Sequence, residues 1–146
     1  LCRAAQQAGY LIIVVTNQAG IGRGYYTEDD FQVLTTWMVG RFAEEGVTIT
    51  DVLYCPFHPE HGVGKYKCES ADRKPNPGMM LRAAAKYDID LSQSILIGDN
   101  ESDMDAAKSA NICRHFLFLQ NPVSSEFRRN SGGMLNSLSE AVILFG

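Results

Sequence analysis

Residues 10–16, Tyr-Leu-Ile-Ile-Val-Val-Thr, decide how the rest of the chain is read. The run is rich in β-branched side chains and apolar until Thr16. A strand with one wet face alternates apolar and polar residues; a parallel strand covered on both faces does not. Tyr10–Thr16 therefore predicts a buried parallel strand. Residues 1–8 before it read as a helix that Gly9 stops. After it, Asn17–Tyr26 forms a glycine-rich loop with Gly20, Gly22 and Gly24. Thr27 then caps a helix whose first turn holds Glu28, Asp29 and Asp30, where the helix dipole favours acids. Phe31, Leu34, Met38 and Phe42 follow at helical spacing, and Gly46 ends the run.

The pattern repeats downstream. Asp51–Cys55 reads as a short strand. Residues 56–77 form a long irregular stretch, and such a loop inside a compact domain is usually functional or disordered. Pro77 opens a helix at the tolerated first position, continued by Met79–Tyr87. Ser94–Ile97 is a strand running into Gly98-Asp99-Asn100. Ser102 starts a helix reaching about Ala110. His115–Leu119 is a further strand, and Ser137 or Ser139 caps a last helix through Leu144. Strands alternating with helices specify an α/β fold with a mainly parallel sheet. No repeat or linker splits the 146 residues, so residues 1–146 are expected to form one domain.

Composition narrows the function. Apolar residues make up 45% and charged residues 21%, an ordinary globular balance. The net charge of −4 provides no basic footprint for nucleic acid or anionic membrane. The longest apolar run, Tyr10–Val15, falls far short of the roughly 20 residues of a membrane span. The four cysteines (Cys2, Cys55, Cys68 and Cys113) lack Cys-x-x-Cys spacing, and no signal peptide is expected. These features predict reduced thiols and a cytoplasmic location. Cys113 is expected to pack in the core.

In parallel α/β sheets, ligands sit outside the carboxyl ends of the strands. Three places qualify. Thr16-Asn17-Gln18 offers a hydroxyl, two amides and backbone N–H groups to phosphate oxygens, though a polar turn would look the same. Arg73-Lys74-Pro75-Asn76-Pro77 sets two cations before a helix; they suit a phosphate, or are a solvated basic pair. Gly98-Asp99-Asn100-Glu101-Ser102-Asp103 holds carboxylates four apart, a set that suits Mg²⁺ or helix capping. Gly20-Ile21-Gly22-Arg23-Gly24 does not complete a dinucleotide fingerprint, because Tyr25 stands where its third glycine belongs. Cys55, His58, His61 and Cys68 form an incomplete zinc set.

Taken in order, these signals resemble motifs II, III and IV of the haloacid dehalogenase (HAD) superfamily of phosphotransferases. VVTNQAGIGRG (14–24), YCPFHPEHG (54–62), DRKPNPGM (72–79) and IGDNESDM (97–104) are most similar to its heptose-1,7-bisphosphate phosphatase and histidinol-phosphatase branch. The likeness covers about residues 4–145. It implies a three-layer Rossmann-like fold with a minimal cap, acting as a monomer on a small sugar bisphosphate and removing its 7-phosphate. An aspartate would attack the phosphoryl group and form an aspartyl-phosphate. Thr16 would bind the transferring group, Lys74 would neutralise its charge, Asp99 would ligate Mg²⁺, and Asp103 would support that metal site. Asn17, Gln18, Arg23 and Arg73 would contact the sugar and its second phosphate. Such residue types fit a reaction that depends on positioning and charge neutralisation.

Two departures matter. Zinc-bearing relatives carry Cys-x-His and Cys-x-Cys in the long loop; here Phe57 and Ser70 occupy the second positions, so zinc is not expected. The nucleophile motif, Asp-x-Asp-Gly-Thr after a strand, is absent from the sequence. Asp88-Ile89-Asp90 and Asp103-Met104-Asp105 lie in the wrong context. The chain opens on Leu1, and the resemblance implies a preceding strand, central in the sheet between those bearing Thr16 and Asp99. Without it, these residues are expected to be inactive and unstable alone. Each large apolar side chain lost from a core removes about 1.5–3 kcal/mol, against a total stability of about 5–15 kcal/mol. The alternatives are a non-catalytic module binding a phosphate-bearing ligand or a partner chain, and a nucleotide-binding oxidoreductase domain, which Tyr25 and the acidic Asp99 loop disfavour.

Overall fold

The computed structural model describes residues 1–118, 133–135 and 137–145. Helices alternate with parallel strands, as the sequence predicts, and the chain divides into two compact units, Cys2–Arg73 and Lys74–Gly146.

In the first unit, α1 (Cys2–Gln7) ends before Gly9, whose φ of 89° no β-carbon-bearing residue adopts readily. Strand β1 (Ile12–Asn17) runs parallel to β2 (Ile49–Cys55), with Thr16 opposite Tyr54 and Asn17 opposite Cys55. A register shift between Ile12 and Ile13 leaves Thr50 as the extra residue on β2. The expected burial of β1 on both faces is not found: all six of its residues are half-buried. Its one strand neighbour among the described residues is β2, and a two-stranded sheet cannot cover a strand on every side.

The loop after β1 contains a single helical turn that its glycines concealed, α2 (Ala19–Gly22). The long helix α3 (Glu28–Glu44) begins with a capping box: Thr27 accepts from the Asp30 N–H, and Asp30 accepts from the Thr27 N–H. Its apolar spacing only partly matches its packing. Phe31 is buried, and its ring lies 4.7 Å from that of Tyr54, while Leu34 is 57% exposed beside Val33 and Trp37. Glu28 ties α3 to β2 and to the following loop, accepting from the Tyr54 hydroxyl at 2.8 Å and from the Tyr66 hydroxyl at 2.7 Å. Those two bonds, Tyr66 foremost, hold the Glu28 carboxyl below its ordinary pKa. A short 3₁₀ turn, Gly64–Tyr66, lies within that loop.

In the second unit, α4 (Gly78–Tyr87) follows Pro77, which is the cap rather than the first helical residue. Strand β3 (Ile95–Gly98) pairs in parallel with β4 (Arg114–Phe118). That strand pairs in parallel with β5 (Met134–Leu135), a two-residue strand too short to read from sequence. Helix α5 (Glu101–Ser109) starts one residue earlier than expected, because Asn100 is its cap. It packs on β3 and β4 through Met104, Ala106 and Ala107, which are all buried. His115 is a core histidine whose Nδ1 lies 2.9 Å from the Ile112 carbonyl oxygen. Cys113 is exposed, contrary to expectation, because it lies in the turn before β4 and not on an inward face. The last segment, Glu140–Phe145, is a 3₁₀ helix instead of an α-helix. The Arg114 guanidinium donates to its Leu144 carbonyl at 2.8 Å. The expected end of the strand at Leu119 lies outside the described residues.

Candidate active site

The expected residues fall into two groups, one in each unit. In Cys2–Arg73, Thr16 and Asn17 are the last residues of β1, and the Gln18 N–H donates to the Cys55 carbonyl at 2.8 Å, prolonging the ladder one step. That step fixes where the chain turns into α2, which buries Ile21. The Gln18 Nε2 donates to Thr16 Oγ1 at 2.9 Å, and the Tyr26 hydroxyl donates to Gln18 Oε1. Thr16 Oγ1 also lies 3.4 Å from the Asn17 carbonyl, a long and weak contact. Gly22 is buried, and a β-carbon there would collide with the Pro56 carbonyl; its own carbonyl accepts from Val63 N–H at 2.8 Å. The glycine loop and the long loop are thereby held together.

Arg23 is exposed after α2, and Arg73 is half-buried, with a guanidinium nitrogen 3.5 Å from the Phe57 carbonyl. Near them, His58 Nδ1 accepts from the N–H groups of Glu60 and His61 at 3.2 and 3.1 Å. Partial desolvation holds the His58 imidazole below its ordinary pKa, and the charges of Arg73, His61 and Arg23 push the same way. Arg23, which is exposed, and Arg73, which is half-buried, therefore lie close enough to act on His58, while Glu60 pulls the other way. Of the zinc candidates, Cys55 is buried and Cys68 is exposed with its thiol 3.9 Å from the Lys65 carbonyl. Among the described residues, no three His, Cys, Asp or Glu side chains gather as a metal cluster.

In Lys74–Gly146, Lys74 stands before α4 and its ammonium is paired with Asp103 Oδ1. Both side chains are nearly out of water, at 11% and 6% exposure. The second Asp103 oxygen accepts from the Asn100 N–H at 3.1 Å, and the Asn100 side chain caps Ser102 N–H at 3.4 Å. Asp103 is thus both half of a buried ion pair and a member of the α5 capping box. Gly98 makes room for it: a β-carbon at Gly98 would sit 2.5 Å from Asp103 Oδ2. Asp99, between the end of β3 and the cap, is exposed and makes no hydrogen bond or ion pair to another described residue.

These donors suit a small hard cation in one respect. Asp99 presents carboxylate oxygens to water, and magnesium is held by one or two carboxylates with water completing its shell. Asp103 differs, because Lys74 and Asn100 already occupy its oxygens. Sequence spacing alone could not reveal the Lys74–Asp103 pair, and it passed over Tyr26. The nearest hint of Tyr26 in the sequence was Gly20, where a β-carbon would collide with the Tyr26 ring.

A family model described as HAD-hydrolase-like matches residues 71–119. The chain is similar to the D-glycero-alpha-D-manno-heptose-1,7-bisphosphate 7-phosphatase of Burkholderia mallei (strain ATCC 23344). The two are 60% identical over 112 residues, covering 77% of this chain and 59% of that protein. It is also similar to the D-glycero-beta-D-manno-heptose-1,7-bisphosphate 7-phosphatase of Yersinia pestis, 39% identical over 140 residues, covering 95% of this chain and 74% of that protein. The structure of D,D-heptose 1,7-bisphosphate phosphatase from B. bronchiseptica, complexed with magnesium and phosphate, has the same fold. It aligns with a TM-score of 0.77 at 24% identity, over 98% of this chain and 79% of that one. The chain thus spans less than two thirds of the Burkholderia relative it matches at 60% identity. No helix among the described residues is long and apolar enough to cross a membrane.

Proposed function

This chain belongs to the HAD-like family of D-glycero-D-manno-heptose-1,7-bisphosphate 7-phosphatases, and we propose that it carries most of the phosphoryl-transfer machinery of such an enzyme. The substrate is a heptose 1,7-bisphosphate, and the phosphate released is that on C7. The observation that carries this reading lies after β3, where Asp99 is exposed and Asp103, in the first turn of α5, is paired with Lys74 from the segment before α4. A lysine held rigidly by a buried carboxylate is a fixed positive charge, and phosphoryl transfer is accelerated by fixed charges aimed at its oxygens.

In this reading the Thr16 hydroxyl donates to an oxygen of the transferring phosphoryl group. Lys74 neutralises the charge on that group, and Asp103 holds Lys74 in place. Asn17, Gln18, Arg23 and Arg73 bind the sugar and its second phosphate; the two arginine side chains support this, since guanidinium groups grip phosphates bidentately. Asp99 would hold magnesium, which supplies further positive charge to the phosphoryl oxygens. The nucleophile, an aspartate that forms an aspartyl-phosphate, is contributed from outside these 146 residues. The whole acts as a single cytoplasmic domain and a monomer.

The test is phosphate release from D-glycero-D-manno-heptose 1,7-bisphosphate with and without Mg²⁺, followed by ³¹P NMR. A protein that joins these residues to a strand bearing Asp-x-Asp is expected to release the 7-phosphate only with Mg²⁺, whereas residues 1–146 alone release none. Release of the 1-phosphate, or none from the joined protein, overturns the substrate reading. Turnover by residues 1–146 alone overturns the placement of the nucleophile.

A further inference from the structure

The side chains of Thr16, Gln18 and Tyr26 form one chain of hydrogen bonds within the Cys2–Arg73 unit. Its polarity matters, because a threonine hydroxyl has a single proton. With Gln18 Nε2 donating to Thr16 Oγ1, the hydroxyl accepts inside the protein and its proton is left for an outside acceptor. The internal alternative, the Asn17 carbonyl at 3.4 Å, is too long to compete strongly. With the Gln18 carboxamide turned over, its oxygen would face Thr16 and take that proton, and the hydroxyl could no longer donate to a phosphoryl oxygen.

Tyr26 decides between the two. A phenol is a better donor than an aliphatic alcohol, and its ring-conjugated oxygen is a poorer acceptor. Its hydroxyl therefore binds Gln18 Oε1 in preference to Nε2, and this turns Nε2 toward Thr16. The ring is held for the purpose: Tyr26 is half-buried and passes over Gly20, where any β-carbon would collide with it. We propose that Tyr26 is a positioning residue for the phosphoryl-binding hydroxyl of Thr16, acting through Gln18. This rests on the role assigned to Thr16 under the proposed function.

The experiment uses inorganic phosphate as the probe and ¹H–¹⁵N NMR on the protein that joins these residues to the strand bearing Asp-x-Asp, and it does not require turnover. Tyr26→Phe keeps the ring and removes the hydroxyl. It is expected to shift the Gln18 side-chain amide signals and to weaken phosphate binding, read at the Thr16 amide, about tenfold, the value of one hydrogen bond. Gln18→Leu is expected to weaken binding by at least as much. The double variant should be no weaker than Gln18→Leu alone, because both changes cut one relay; a merely structural role for Tyr26 would give additive losses. Unchanged Gln18 signals in Tyr26→Phe, unchanged affinity, or additive losses overturn the proposal. Failure of the joined protein without substitutions to bind phosphate would instead overturn the role of Thr16. In that case the Gln18 signals alone decide whether Tyr26 orients the amide.

Discussion

The two groups of candidate residues are built on opposite principles. In Lys74–Gly146, a full positive and a full negative charge are withdrawn from water and fastened to each other, with the backbone of Asn100 taking the remaining carboxylate oxygen. In Cys2–Arg73, the group at the end of β1 is neutral and half-buried, a hydroxyl, an amide and a phenol, while the candidate cation Arg23 is exposed and Arg73 is half-buried. A buried pair loses heavily if one member is removed, because the other is left charged without a partner. A neutral relay loses only the net value of a hydrogen bond. The first arrangement ties function to folding. The second can be altered with little effect on stability.

That contrast breaks most visibly at Asp103. Asp103→Ala is expected to cost about 3–5 kcal/mol in urea unfolding, as for other broken buried pairs, while Gln18→Ala costs about 1 kcal/mol. Equal losses would abolish the distinction. Replacing both partners, Lys74→Met with Asp103→Leu, should be milder than Asp103→Ala alone, since no orphaned charge remains. Gly98→Ala forces a methyl group against Asp103 and should cost about 1–3 kcal/mol; a neutral result would show that the pair has room to move. At the other unit, Thr27→Ala removes half of the α3 capping box and should lower stability by about 1 kcal/mol, read from the same unfolding curves.

The smallest expected effect is a pH dependence at Glu28, an anion of the neutral-relay unit. Its folded pKa lies below the ordinary 4.5 because Tyr66 and Tyr54 donate to it. A depressed carboxylate contributes stability that is fully present above the unfolded pKa and is lost as pH falls through the folded value. Glu28→Gln should therefore narrow its stability gap to the wild type as pH falls below about 4.5. A gap that widens in acid would mean that the tyrosine bonds do not favour the ionised form.

Local chemistry made much of this molecule legible. Gly9 and Gly46 stop α1 and α3 because their φ of 89° and 77° suits a residue without a β-carbon best, and Thr27 caps α3 through its own hydroxyl. The strand–helix alternation and the acids after β3 are equally local, which is why the fold and its family resemblance were readable. Signals broke down where burial depends on neighbours. The run Tyr10–Thr16 is apolar enough for a fully covered strand, yet β1 is only half-buried. Leu34 keeps helical spacing yet faces water.

At the candidate site, residue types and spacing picked out Thr16, Lys74, Asp99 and Asp103, and left open what each one touches. The spacing of Asp103 four positions from Asp99 suggests support for a metal; the structure adds that its oxygens bond Lys74, which lies 29 positions away in the chain, and the Asn100 N–H. Tyr26 entered the group at the end of β1 from a loop position with no motif to mark it. The sequence by itself determined the elements, their caps and the chemical types at the strand ends, because those follow from contacts within a few residues. Only the tertiary structure decided which charge is buried against which and which hydroxyl orients which amide. Those partners come from distant parts of the chain, and the cost of leaving a buried polar group unpaired selects them.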